Sequence, residues 1–182
     1  MKLIKELYET EILETPAEQT QEPLRCFVRK ASRAILYNDQ GQIALLFVSK
    51  DHYHKLPGGG IEGNEDATQA LRREVLEEVG ATIIGIEELG LTIEYRDQQN
   101  MLQISYSFTA KVDGALRLPD YTDEEIESGF TLKWVTPSEA LHLLKSDQPA
   151  IYAGKFIRSR DLSILEAHVW GMSRNRKAGV AR

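Results

Sequence analysis

The chain has 182 residues, of which 42% are hydrophobic and 27% charged, enough for one domain with its own core and too apolar for wholesale disorder. Its formal net charge of -6 argues against a protein that coats nucleic acid, because that task needs a basic face to displace phosphate counterions. No run of roughly 18 apolar residues is present, so no membrane helix is expected. The single cysteine, Cys26, cannot form a disulfide within the chain, and the opening MKLIKELYETE turns acidic too early for a signal peptide. A cytoplasmic chain is the expectation.

Residues 1–24 scatter six glutamates around Pro16 and Pro23 and read as an arm with one short strand or helix, then a loop. RCFVRKASRAILYN and QIALLFVSK are partly alternating apolar runs split by the turn Asn38 to Gly41, and predict a hairpin or two adjacent strands. KLPGGGIEGNED is too rich in glycine for an element interior and predicts a loop. A helix should start at Asn64 as N-cap, place Glu65 and Asp66 in its first turn, and stop at Gly80.

ATIIGIEELGLTIEYR and MLQISYSFTAKV, linked by Asp97 to Asn100, predict two strands. PDYTDEEIESG predicts an acidic loop and FTLKWV a short strand. Thr136-Pro137-Ser138-Glu139 predicts a capping box opening the helix SEALHLLKS. A last helical stretch covers roughly 153 to 170 with a break near Ser159, and the basic tail 171–182, with Arg174, Arg176, Lys177 and Arg182, should be frayed. Strands that precede, separate and follow helices place the chain in the α/β or α+β class with a mixed sheet.

The chemistry concentrates in RREVLEEVG, Arg72 to Gly80. With successive helical residues rotated by about 100°, Glu74, Glu77 and Glu78 fall within about 100° of one face, beside an apolar stripe of Leu71, Val75 and Val79. Taken alone, such a charge run reads as a solvated face. Three clustered carboxylates repel, however, and Arg73, four residues before Glu77, can neutralise only one of them. A hard divalent cation such as Mg2+ is the natural remainder. Gly58, Gly59 and Gly60, lacking Cβ atoms, let the preceding loop approach a metal or phosphate closely, although the spacing is no Walker A motif.

From Gly59 the chain reads G-x5-E-x7-R-E-V-L-E-E-V-G-A, which resembles the Nudix box, G-x5-E-x7-REUxEExGU with U aliphatic, and the preceding Leu56-Pro57 is also similar to that family. The resemblance implies an α/β/α sandwich around a mixed β-sheet, with a Nudix hydrolase domain over 25–170. It implies hydrolysis of a nucleoside diphosphate linked to another moiety, with Mg2+ or Mn2+ as cofactor and a small nucleotide as partner rather than a nucleic acid. Glu74, Glu77 and Glu78 would then be metal ligands with the Gly59 carbonyl, Arg73 would orient the glutamates, and Glu65 would brace the loop. The general base is either a box glutamate or one of Glu124, Glu125 and Glu127. Two departures, Ala81 at the last aliphatic position and the order Glu62-Gly63-Asn64-Glu65, leave the metal set intact.

Outside the box the sequence is less specific. His52, Tyr53, His54 and Lys55 either meet substrate at the cleft or form a polar strand end, while His142, His168 and Trp134 read as structural. Arg96, Asp97 and Gln98 stand where ADP-ribose-type relatives tend to carry a proline, and the coenzyme A and NADH signatures are missing. A nucleoside triphosphate or related derivative is the remaining substrate class. The reading from another class is a Nudix-fold module that senses a nucleotide without cleaving it, against which the full set of box glutamates argues. The N-terminal arm and the last helix either complete a homodimer or cover the sheet.

Overall fold

The computed structural model describes residues 1–14 and 26–179. The loop expected over 15–24, with Pro16 and Pro23, the last residue Arg182, and the side chains of Arg174, Arg176 and Lys177 lie outside what is described. The strands are β1 (Leu3–Tyr8), β2 (Phe27–Tyr37), β3 (Ile43–Val48), β4 (Tyr53–Lys55), β5 (Thr82–Arg96), β6 (Met101–Asp113) and β7 (Phe130–Val135). The helices are α1 (Glu9–Leu13), α2 (Ala67–Val79), α3 (Asp123–Glu127), α4 (Pro137–Ser146) and α5 (Tyr152–Gly179). No described helix is long and apolar enough to cross a membrane.

The seven strands form one mixed sheet in the order β1-β5-β6-β2-β3-β4, with β7 added along β3. β1 runs parallel to β5 and β2 parallel to β6, while β5 and β6 are antiparallel, as are β3 and β7. The described part of the arm therefore lengthens the sheet by an edge strand. Alternation along β2 sorts its side chains to two cores. Ala34 and Leu36 meet Leu71, Val75 and Val79 of α2, whereas Ile35 meets Ala140 and Leu144 of α4 and Ile164 and Leu165 of α5. One helix on one face and two on the other make the α/β/α sandwich.

Three local features differ from the sequence reading. Helix α2 is capped by Asp66, not Asn64, because the Asp66 carboxylate accepts from the backbone N–H groups of Thr68 and Gln69 at 2.8 Å each, while Gln69 returns a bond to the Asp66 N–H. That reciprocal box outcompetes a lone asparagine. The acidic segment expected to be a loop contains α3, which Thr122 caps through a box of its own with Glu125. Helix α5 runs unbroken through Ser159 and continues past Gly171 to Gly179, so the frayed tail is not seen over 171–179.

The glycine segment is more ordered than a loop. β2 and β3 share only the register pair Tyr37 with Ile43, and the edge of β2 thereby freed is taken by the glycine stretch. Ser32 N–H donates to the Gly59 carbonyl, Ala34 N–H to the Pro57 carbonyl and Ile61 N–H to the Lys30 carbonyl, at 2.9, 2.9 and 3.0 Å. Pairing of this kind fixes the loop against the sheet. It also explains Gly58, whose φ of +129° and 2.1 Å separation between an added Cβ and the Ser32 carbonyl leave room for no other residue.

Candidate active site

The pinned loop and α2 meet along one wall of a cleft of about 630 Å³. Helix α2 lines it with Glu74 and Glu78, both buried, while the half-buried Glu77 stands beside the lining and joins it through Arg73. Glu74 lies so close over the loop that a Cβ on Gly59 would stand 2.3 Å from its carboxylate. The Gly58 N–H donates to Glu78 at 2.6 Å. Glycine is thus required twice, once for backbone shape and once to admit a carboxylate.

Arg73 organises the wall more extensively than its spacing suggests. It binds Glu65 through two nitrogens at 2.8 and 3.1 Å, Glu74 at 2.8 Å, Glu77 at 3.1 Å and the Gly60 carbonyl at 2.8 Å. One planar guanidinium therefore ties three carboxylates to the loop, where the sequence reading allowed it one. Its own pKa is raised, chiefly by Glu65. Glu65 in turn accepts from the Glu62 N–H at 3.1 Å, the bracing role the sequence suggests.

Glu78 takes its cation from elsewhere. Lys55, at the end of β4, donates to it at 2.7 Å and also lies 4.8 Å from the centre of the Phe130 ring. Burial pushes the Glu78 carboxyl up, while Lys55 and the Gly58 N–H pull it back. The contact was not legible from the sequence, because the two residues lie 23 positions apart on different elements.

His54 is placed elsewhere. Alternation along β4 turns its ring away from the cleft, where Nδ1 lies 3.0 Å from Asp147 and the ring packs on Phe47. The neighbouring Tyr53 and Lys55 line the cleft instead. Glu124 and Glu125 line it from α3, but the Glu125 carboxylate is engaged as a cap, accepting from Thr122 N–H at 2.9 Å and Thr122 Oγ1 at 3.0 Å. His168 bonds Tyr37 at 2.8 Å, and Trp134 packs against the α2 core, both structural roles.

Among the described residues no three acidic or histidine side chains are grouped to hold an ion, and Arg73 and Lys55 already engage Glu74, Glu77 and Glu78. The donor chemistry nonetheless suits a hard divalent cation, since the wall offers carboxylate oxygens next to backbone carbonyls of a loop in which glycine makes close approach possible.

The cleft floor escaped the sequence reading altogether. Arg29 and Arg33 lie on one face of β2, Arg96 ends β5, and Arg160 projects from α5. In register across the sheet stand Arg29, Gln103 and Glu94, linked by hydrogen bonds from Arg29 to Gln103 at 2.7 Å and from Gln103 to Glu94. Glu94 also accepts from Arg96 at 3.1 Å, and Asp161 accepts from Arg160 at 2.7 Å and from the Leu56 N–H at 2.8 Å. The floor is therefore tied to the start of the glycine loop. Arg29 and Arg33, at even spacing in RKASR, were the available signal.

The comparisons agree with this architecture. The NUDIX domain family model matches residues 28–154. Among solved structures, the chain is similar to a NUDIX hydrolase from Nitrosomonas europaea, with a TM-score of 0.61 at 16% identity over 80% of this chain and 90% of that one. It is similar to the MutT protein of Methanosarcina mazei Go1, with a TM-score of 0.53 at 20% identity over 76% and 95%. It is also similar to a MutT NUDIX hydrolase from Burkholderia pseudomallei, with a TM-score of 0.51 at 21% identity over 74% and 98%. At these identities the likeness is one of fold. No curated protein matches the chain. With the family model covering well over half of its length, the chain belongs to the NUDIX family.

Proposed function

We propose that the protein is a Nudix-type pyrophosphohydrolase that cuts a pyrophosphate bond in a nucleoside triphosphate or related nucleotide with the help of Mg2+ or Mn2+. The observation that carries this is the wall itself: Glu74 and Glu78 folded onto Gly58 and Gly59, with Arg73 hydrogen-bonded to Glu74, Glu77 and Glu65.

Glu74, Glu77 and Glu78, with the Gly59 carbonyl, would hold the cation. Bound there, it would neutralise charge on the diphosphate and acidify a water for attack on phosphorus. The rest falls to the chain. Arg73 holds the carboxylates in place against their mutual repulsion, and Gly58, Gly59 and Gly60 present backbone that a phosphate can approach. Lys55 shields the buried Glu78 and is the cation nearest to it, so loading of the site exchanges one positive partner of Glu78 for another. A box glutamate is the first choice for the base, with Glu125 as the candidate outside the box. Glu125 would have to give up Thr122 to serve.

Phosphate release from a panel of nucleotides and nucleoside diphosphate derivatives, with Mg2+ and with or without a coupling phosphatase, tests this reading. Turnover of any member supports hydrolysis and reports which bond is cut. No turnover across the panel would favour the alternative, a Nudix-fold module that binds a nucleotide without cleaving it.

A further inference from the structure

The cleft is not evenly charged: its α2 wall is acidic and its floor is a cluster of four guanidinium groups. Among the described residues, the buried carboxylates that hydrogen-bond to the guanidinium groups of Arg29, Arg33, Arg96 and Arg160 are Glu94, which Arg96 reaches, and Asp161, which Arg160 reaches. The cleft is lined by further acids, among them the half-buried Asp51 and Glu125. Glu78 is taken by Lys55 and Glu74 by Arg73, while Glu62 and Glu124 are exposed. The four arginines are thus only partly paired, in a place where charge is costly to bury.

Their hydrogen bonding is incomplete as well. Arg160 is 1% exposed, yet neither of its terminal nitrogens has a hydrogen-bond partner, and Nη1 comes no nearer to Glu94 than 3.8 Å. Arg33, 5% exposed, gives Nη1 to the Ser32 carbonyl and leaves Nε without a partner. Arg96 stacks over the Phe156 ring at 5.1 Å and likewise leaves Nε free of a hydrogen bond. Burial and the neighbouring Arg160 pull Arg33 down to about 9. Buried donors are almost always satisfied, and unsatisfied ones that line a cleft point to a ligand that supplies the acceptors.

We infer that Arg29, Arg33, Arg96 and Arg160 form a subsite that binds a phosphoryl anion directly, without a metal ion. The forked guanidinium matches phosphate oxygens two at a time. The cation wall and the anion floor share one cleft, so a polyphosphate chain can lie across both. If the hydrolase reading holds, that anion is a phosphoryl group of the nucleotide's phosphate chain. That last step rests on the proposed function, whereas the subsite does not.

The test is binding of inorganic pyrophosphate by calorimetry in EDTA, on the full chain and on Arg29→Gln, Arg33→Gln and Arg33→Lys, with melting temperatures measured in parallel. Arg29 is only half-buried, so Arg29→Gln is the variant most certain to fold. The unaltered protein should bind pyrophosphate without metal, and each Arg→Gln change should weaken binding about tenfold or more. Arg33→Lys, which keeps the charge and loses the fork, should fall between. Lys111→Gln, on the exposed end of β6, should bind as the unaltered protein does. Absence of binding in EDTA overturns the subsite, as does binding that Lys111→Gln weakens as much as Arg29→Gln. A protein that binds pyrophosphate this way but hydrolyses no nucleotide would retain the subsite and lose only the proposed function.

Discussion

The two sides of the cleft were built in opposite ways. The acidic wall comes from one stretch of chain, the Gly58–Gly60 loop and the helix that follows it, and its carboxylates are neighbours in space because they are neighbours on a helix. The basic floor is assembled from β2, β5 and α5, with Arg29 and Arg160 at opposite ends of the domain sequence. A wall of the first kind can be inferred from periodicity and spacing. A floor of the second kind exists only once the sheet register is known, since Arg29, Gln103 and Glu94 form a row solely because β2, β6 and β5 align them.

This difference explains how much was legible. Elements with strong local signals emerged from the sequence: β5 and β6 from their alternation, α4 from Thr136 and Pro137, and α2 from its apolar stripe and its stop at Gly80. Errors arose where two local signals competed. Asn64 and Asp66 both suit an N-cap, and only the Gln69 partner decides for Asp66. The run around Glu125 looked too acidic for structure, yet acidic residues in a first turn suit the positive end of a short helix. His54 stood next to the glycine loop in sequence and pointed away from it in space, because strand neighbours alternate.

The contrast can be sharpened by perturbing each side separately. Leu71→Ala empties part of the apolar stripe under the wall and should lower stability by about 3 kcal/mol in a denaturant melt. It should leave metal-free pyrophosphate affinity unchanged, and a matching loss of affinity would mean that the two sides are not independent. His54→Phe removes the ring partner of Asp147 and should cost about 2 kcal/mol of stability with no change in KM, since the ring lies outside the cleft. A raised KM would return His54 to the substrate.

Arg73→Lys keeps one positive charge on the wall but loses the fork that joins Glu65, Glu74 and Glu77. Turnover with Mg2+ should fall about tenfold while pyrophosphate still binds in EDTA. The smallest effect concerns pH and lies outside the cleft. Burial holds the His168 pKa below its ordinary value, so the unfolded chain takes up a proton that the folded one refuses. Stability should be full above the unfolded histidine value and decline as pH falls below it, and His168→Gln should flatten that slope. An unchanged slope in the variant would assign the decline to other groups.

The central claim is that the glutamates of α2 do chemistry rather than decorate a surface, and Glu78→Gln addresses it most directly. The variant keeps the size of the side chain and removes the charge that meets Lys55 and the Gly58 N–H. Measured with Mg2+ on a nucleotide that the unaltered protein turns over, and with the fold confirmed by its melt, turnover should fall on the order of a hundredfold or more. A folded Glu78→Gln variant that hydrolyses the nucleotide at the original rate would contradict the account.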